Sequence, residues 1–146
     1  MQYGKANLLL AEKINPATLE FLEGLPDEYI YTEYNFGMFH GSPWDKLNKY
    51  VYPDDPLEKF RDLPYAAVIL GHTHYPMHKN INGVQLINPG SAGQPRDTNA
   101  PSYATFDTQA RDVKIKRVEY DYQAMANDVK GRGEEGRYLY NVLMAL

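Results

Sequence analysis

The sequence predicts an α+β chain, mostly strand in its middle and helical at both ends. Three observations carry that prediction. The run Ala66-Ala67-Val68-Ile69-Leu70 follows Pro64-Tyr65 and is closed by Gly71, which reads as a strand covered on both faces. Asn82-Gly83, between two strand-like stretches, is the strongest short hairpin signal. Near the end of the chain, Tyr122, Met125, Ala126 and Val129 recur with the 3.6-residue period of a helix.

Taken in order, residues 4–13 read as helical without a clear start signal. Asn15-Pro16 then supplies an N-cap followed by proline at the first helical position. This short helix keeps Leu19 and Leu22 on one face and stops at Gly24, with Pro26 just beyond. Residues 28–34 alternate as a half-exposed strand does, Asn35 makes a turn, and residues 36–39 form a second strand ending at His40. The stretch 44–56, rich in Pro, Asp, Asn and Tyr, reads as an ordered loop, and Asp55-Pro56 opens a short helix through about Arg61. After the strand at 66–70 come hairpin strands at 75–80 and 84–87, then strands at 102–107 and 112–120. In the helical tail, Gly131 and Gly133 interrupt the period, and Tyr138, Leu139, Val142, Leu143 and Leu146 resume it.

At 146 residues the chain fits a single domain, 1–146, with a core of its own. No apolar stretch approaches membrane-spanning length, and the first residues lack the basic-then-apolar layout of a signal peptide, so a cytoplasmic location is expected. Net charge of −4 gives no global attraction to nucleic acid or to an anionic membrane. With no cysteine in the chain, any metal must be held by nitrogen and oxygen donors.

Chemistry concentrates where strands end. Gly71-His72-Thr73-His74 puts two imidazoles, at i and i+2, in a turn behind the most apolar strand. Such a pair can reach one metal, or two neighbouring ones, if other loops add ligands. His40-Gly41-Ser42-Pro43 follows the strand at 36–39 in a similar setting. The third loop, Asn88-Pro89-Gly90-Ser91-Ala92-Gly93-Gln94-Pro95-Arg96, has Gly and Pro density without periodicity, which marks a shaped loop. Of the four histidines, His78 stands apart, beside Lys79 on the next strand, and reads as an ordinary exposed residue.

Together, and in this order, the three loops resemble the calcineurin-like metallophosphoesterases, in particular the small prokaryotic phosphodiesterase/phosphatase branch. Members of that branch carry His-Gly-Ser-Pro, then Gly-His-x-His, then Asn-Pro-Gly-Ser with a downstream Pro-Arg. The resemblance runs from about Asn15 to the C-terminus. A metallo-β-lactamase-type site fits less well, because Tyr75-Pro76 follows the histidine pair where Asp and His would be wanted.

The resemblance implies a fold, an activity and a ligand set. The fold is half of a two-sheet αββα sandwich, its C-terminal part, because the Asp-x-His, Gly-Asp-x-x-Asp and Gly-Asn-His-Asp segments do not occur before His40. The activity is hydrolysis of a phosphate ester by a metal-activated water, at a pair of divalent ions (Mn, Zn, Ni or Fe) roughly 3.5–4 Å apart. By position, His40 and His72 would bind one ion and His74 the other, and these three are the expected catalytic and metal residues. The remaining Asp, His and Asn ligands would come from elsewhere, so the site is expected to be incomplete in this chain.

Two further residues admit two readings each. Ser91 belongs either to a tight connection between strands or to a loop that contacts phosphate. Arg96 either pairs with a substrate phosphate or forms an ion pair with Asp97 or another carboxylate. The expected partner is a small phosphate ester, with nucleic acid relevant only as a nucleotide substrate and no membrane. Half of a sandwich leaves a sheet face or edge open to water, so a homo-oligomer, or a second chain supplying the missing half, is also expected. The alternative to an enzyme is a non-catalytic docking or oligomerisation module derived from the same fold.

Overall fold

The computed structural model describes residues 10, 12–133 and 137–145. Most of the expected helix at 4–13 lies outside the described residues; Leu10, Glu12 and Lys13 are helical. The chain divides into two compact units, one of residues 1–26 and 121–145 and one centred on 27–120. No helix among the described residues is long and apolar enough to cross a membrane.

The first unit is helical. Helix α1 spans Pro16–Glu23, with the Asn15 side chain accepting from the Thr18 N–H and Gly24 as its C-cap, as the Asn-Pro and Gly signals require. Helix α2, Tyr122–Gly131, is capped by Asp121 through the Ala124 N–H, and buries Ala126 and Val129. Helix α3, Arg137–Met144, buries Val142 and Leu143.

The second unit is built on a five-stranded sheet. Its strands are β1 (Glu28–Tyr31), β2 (Phe36–Phe39), β3 (Ala67–Leu70), β4 (Met77–Ile81) and β5 (Val84–Asn88), in the order β1-β2-β3-β5-β4. The central strands β2, β3 and β5 are mutually parallel, and β1 and β4 close the edges antiparallel. The run 66–70 thus becomes the central strand, with its side chains sorted by the period of two. Val68 and Leu70 pack with Phe39, Leu86, Val51, Leu57 and Phe60, so the loop after β2 covers that face. Ala67 and Ile87 pack on the other face with Val113, Phe36 and Phe106. That second cover is an antiparallel ribbon of β6 (Ser102–Asp107) and β7 (Asp112–Arg117). Arg111, at the turn of the ribbon, donates from Nη2 to the carbonyls of Ala66 and Gly83.

Several boundaries differ from expectation. Strand 28–34 ends at Tyr31, because Thr32 to Asn35 is already the turn: the Asn35 N–H donates to Thr32 O at 3.3 Å, with Asn35 at φ 54°. The helix expected after Asp55-Pro56 is a 3-10 turn, Glu58–Asp62. Asp55 turns back to accept from the Tyr52 N–H at 2.8 Å instead of capping it. Tyr75-Pro76 stays outside the ladder of β4, and β7 stops at Arg117 rather than 120. The hairpin forms at Asn82-Gly83, with φ of 52° and 95°, the signs a two-residue primed turn needs.

Candidate metal and phosphoester site

The three parallel strands deliver the three expected loops to one edge of the sheet. His40 follows β2, Gly71-His72-Thr73-His74 follows β3, and Asn88 ends β5. In sheets of parallel strands, ligands bind outside these carboxyl ends. The Gly71 N–H donates to the His40 carbonyl at 3.0 Å, so the first two loops leave the sheet still joined.

His40 and His72 meet. His40 Nε2 and His72 Nδ1 are 2.9 Å apart, one nitrogen donating and the other accepting according to tautomer. At a metal–nitrogen distance of about 2.0–2.1 Å, two ligands at right angles are about 2.9 Å apart, and two at the tetrahedral angle about 3.3 Å. The observed spacing therefore suits two imidazoles on one divalent ion. Burial, then the neighbouring imidazoles of His72 and His74, hold the His40 pKa below its ordinary value. That favours the neutral ring, the form that ligates a metal.

His74 is oriented by a different partner. Its Nδ1 lies 2.8 Å from the Gln94 carbonyl, which can only accept, so Nδ1 carries the proton and Nε2 keeps the free lone pair. Among the described residues, no three His, Asp or Glu side chains close around one metal position. The pattern is a facing pair, His40 and His72, and a third imidazole set by the 88–96 loop.

The turn between the histidines is strained. His72 and His74 both lie in the left-handed region, at φ 66° and 62°, where non-glycine residues are uncommon. The Thr73 N–H donates to Gly71 O at 2.8 Å, an i to i+2 bond around His72 that belongs to the rare left-handed γ-turn. Asn88, fully buried, braces this turn. Its Nδ2 donates to Gly71 O at 2.8 Å and to Thr73 Oγ1 at 3.0 Å, while its Oδ1 accepts from the Gly90 N–H at 2.9 Å. One amide side chain therefore ties the histidine turn to the third loop.

Ser42, also fully buried, accepts at Oγ from the N–H groups of Trp44 and Asp45 and shapes the loop after His40. A side chain at Gly41 would come within 2.6 Å of Asp45 O and 2.8 Å of Lys49 N, so the loop folds back tightly there. Asp45 is held below the usual carboxylate range by the Asn48 N–H, with burial opposing, and His72 adds a smaller charge effect. Tyr50 lies against His72, ring centroids 3.9 Å apart at 31°. Ser42 and Asn88 belong to the motifs that carry the resemblance, but nothing in the sequence assigns them a bracing role, and Tyr50 carries no sequence signal.

Ser91 Oγ accepts from the Gln94 N–H at 2.9 Å, and its carbonyl accepts from the Ser102 N–H, so it shapes the loop that carries Gln94 to His74. Arg96 follows in the same loop, half-buried, while Asp97 pairs with Arg117. His78 is exposed on β4, its Nε2 2.8 Å from Gln85 Oε1 across the hairpin.

Comparison with known proteins agrees with this fold. The family model of the calcineurin-like phosphoesterase superfamily domain matches residues 15–111. An uncharacterized protein of Methanocaldococcus jannaschii is 32% identical over 90% of this chain and 62% of its own length. A probable metallophosphoesterase of Mycoplasma genitalium is 39% identical over 62% of this chain and 55% of its own. Among solved structures, a metallophosphoesterase from Sphaerobacter thermophilus superposes with a TM-score of 0.80 at 27% identity, covering 92% of this chain and 63% of that one. A hypothetical protein from Pyrococcus horikoshii shares the fold with a TM-score of 0.71 at 22% identity, covering 85% of this chain and 52% of that one. The chain thus spans between half and two thirds of the length of these relatives. With the fold, the order of the three loops and the family match in agreement, this chain belongs to the calcineurin-like phosphoesterase superfamily.

Proposed function

We propose that this chain contributes the His40, His72 and His74 side of a metal-dependent phosphoesterase site. The observation that carries the reading is the pair His40 Nε2 and His72 Nδ1, 2.9 Å apart at the carboxyl ends of two parallel strands. A bound divalent ion would supply Lewis-acid polarisation of a phosphoryl oxygen and acidify a water. The chain's own residues do the rest. His40 and His72 offer two ring nitrogens at a two-ligand spacing, and His74 offers Nε2 while the Gln94 carbonyl holds its other nitrogen. Asn88 keeps the turn between them in its strained form.

Two or three imidazoles leave coordination positions open, and the carboxylates of a two-ion site come from outside this set. The proposed source is a second polypeptide, a symmetry-related copy, or a longer protein that includes these residues. Tyr29 and Ile30 on the edge strand β1 are exposed, as is Met38 on the neighbouring β2, which favours such an assembly. The same surface is what the docking-module alternative would use.

The test is metal content by elemental analysis after exposure to Mn²⁺ and Zn²⁺, with hydrolysis of a generic aryl phosphate measured beside it. His40→Ala and His72→Ala are each expected to lose at least tenfold in metal affinity, as removal of one of two ligands requires. Equal metal uptake by wild type and both variants would refute the reading. Sedimentation of the isolated chain is expected to show a dimer or larger species, and a clean monomer would contradict the assembly proposal.

A further inference from the structure

Tyr50, Tyr52 and Tyr75 form a row of rings that begins and ends at the histidine turn. Tyr50 packs on His72 at 3.9 Å, Tyr52 lies nearly parallel to Tyr50 (6.0 Å between centroids, 8° between planes), and Tyr75 meets Tyr52 edge-on at 5.8 Å. Tyr75 is the residue directly after His74. Burial alternates along the segment that carries the first two: Val51 is in the core at 4% exposure, whereas Tyr50 and Tyr52 are 48% and 40% exposed. The core therefore does not account for these two rings. Half-exposed aromatic faces beside a candidate phosphate-binding centre suit a planar ligand, because stacking is favourable and tolerant of the ring's identity.

We propose that Tyr50 and Tyr52 are a stacking platform that selects phosphate esters whose organic group carries a planar aromatic ring, either a nucleobase or an aryl group. This rests on the phosphoester reading of the neighbouring histidines. The phosphate sits toward His72, and the ring lies along the tyrosines. Tyr50 puts aromatic surface, which carries no charge, directly against His72, so the platform adds affinity for the ring.

The test is titration calorimetry of the full chain with four probes: adenosine 5′-monophosphate, phenyl phosphate, ribose 5-phosphate and adenosine. The first two are expected to bind between about fivefold and a hundredfold tighter than ribose 5-phosphate, the range stacking on an aromatic side chain supplies. Tyr52→Leu, which keeps apolar bulk and removes the ring, is expected to erase most of that difference while leaving ribose 5-phosphate binding unchanged. Tyr50→Leu is the second variant, and melting curves confirm that both fold. Tight binding of the nucleotide alone would identify a nucleobase as the ring, and equal gains for both would identify any planar group. Equal binding of all three phosphates would overturn the platform and leave the phosphoester reading standing. Adenosine binding lost in Tyr52→Leu, with ribose 5-phosphate not bound, would support the platform and remove the phosphoester reading. Binding of none of the four would overturn the platform.

Discussion

Replacing Asn88 by Leu tests the reasoning about the histidine turn most directly. The substitution keeps side-chain volume nearly constant, so it removes hydrogen bonds without opening a large cavity. Three bonds go: to Gly71 O, to Thr73 Oγ1 and from the Gly90 N–H. At about 1 kcal/mol net each, their loss costs about 3 kcal/mol. The partners are left unequally provided for. Gly71 O still accepts from the Thr73 N–H and Thr73 Oγ1 from the Tyr75 N–H, so the Gly90 N–H alone loses its partner. The opposing quantity is the left-handed backbone of His72 and His74, which costs roughly 1–2 kcal/mol per residue. The two terms are of the same size, so Asn88 is enough to hold the turn and its removal is enough to release it.

Two results are expected from Asn88→Leu. The urea unfolding free energy falls by about 1–3 kcal/mol, because release of the strained turn returns part of the lost bond energy. That is equivalent to a drop in melting temperature of roughly 4 °C or more for a unit of this size. Metal affinity falls as well, although no ligand has been touched, because His72 and His74 leave their oriented positions. Asn88→Asp, with the same shape and one acceptor retained, is expected to be no better, since both bonds in which Asn88 donates are lost. A loss below about 1 kcal/mol together with unchanged metal affinity would refute the argument that this amide braces the turn.

Other expectations are independent of that turn or adjoin it. Gly90 has φ 84°, and a side chain there would put a Cβ 2.0 Å from Ser102 Oγ, so Gly90→Ala should lower the urea unfolding free energy by about 2–4 kcal/mol. The Asp97 carboxyl lies below the usual range: burial raises it, and the hydrogen bond and charge of Arg117, with backbone N–H groups, outweigh burial. A depressed folded pKa stabilises the fold fully above the unfolded value near about 3.9, and that contribution disappears as pH falls through the folded value. The stability gap between wild type and Asp97→Asn should therefore be on the order of 1 kcal/mol near neutral pH and close in acid. A gap that persists in acid would show that the carboxylate charge is not its source. Arg111→Ala should loosen the ribbon from the sheet, seen as faster amide exchange in β6 and β7, because it removes two bonds to the carbonyls of Ala66 and Gly83.

What could be read from the sequence follows from whether a signal is local. The strand at 66–70 was legible because five consecutive apolar residues bounded by Pro64 and Gly71 are too short for a buried helix, and its alternate residues do feed two separate clusters. The hairpin was legible because Asn82 and Gly83 tolerate positive φ. The end of β1 was not, because the alternation begun by Tyr29 and Tyr31 meets no Gly or Pro to stop it before Asn35. The turn wins there through Asn35 at positive φ and the bond back to Thr32. The helix expected after Pro56 failed for a similar reason: Asp55 had a competing donor in the Tyr52 N–H, and a cap signal does not reveal which of two donors its carboxylate takes.

At the site the divide is sharper. The resemblance implied that His40 and His72 share one ion; the structure brings the two rings together because β2 and β3 are parallel neighbours whose ends fall level, Phe39 beside Leu70. The positive φ of both histidines was invisible, since nothing in their residue type asks for it. That conformation exists only because a buried amide 14 or more residues along the chain supplies the bonds that offset it. Imidazoles at i and i+2 on a relaxed extended segment would point to the same face and share the same surroundings. Bending the chain at His72 changes their directions, so that one ring meets His40 and the other meets Gln94. The strain in this turn is thus the structural reason that two neighbouring histidines take two distinct partners at one sheet edge.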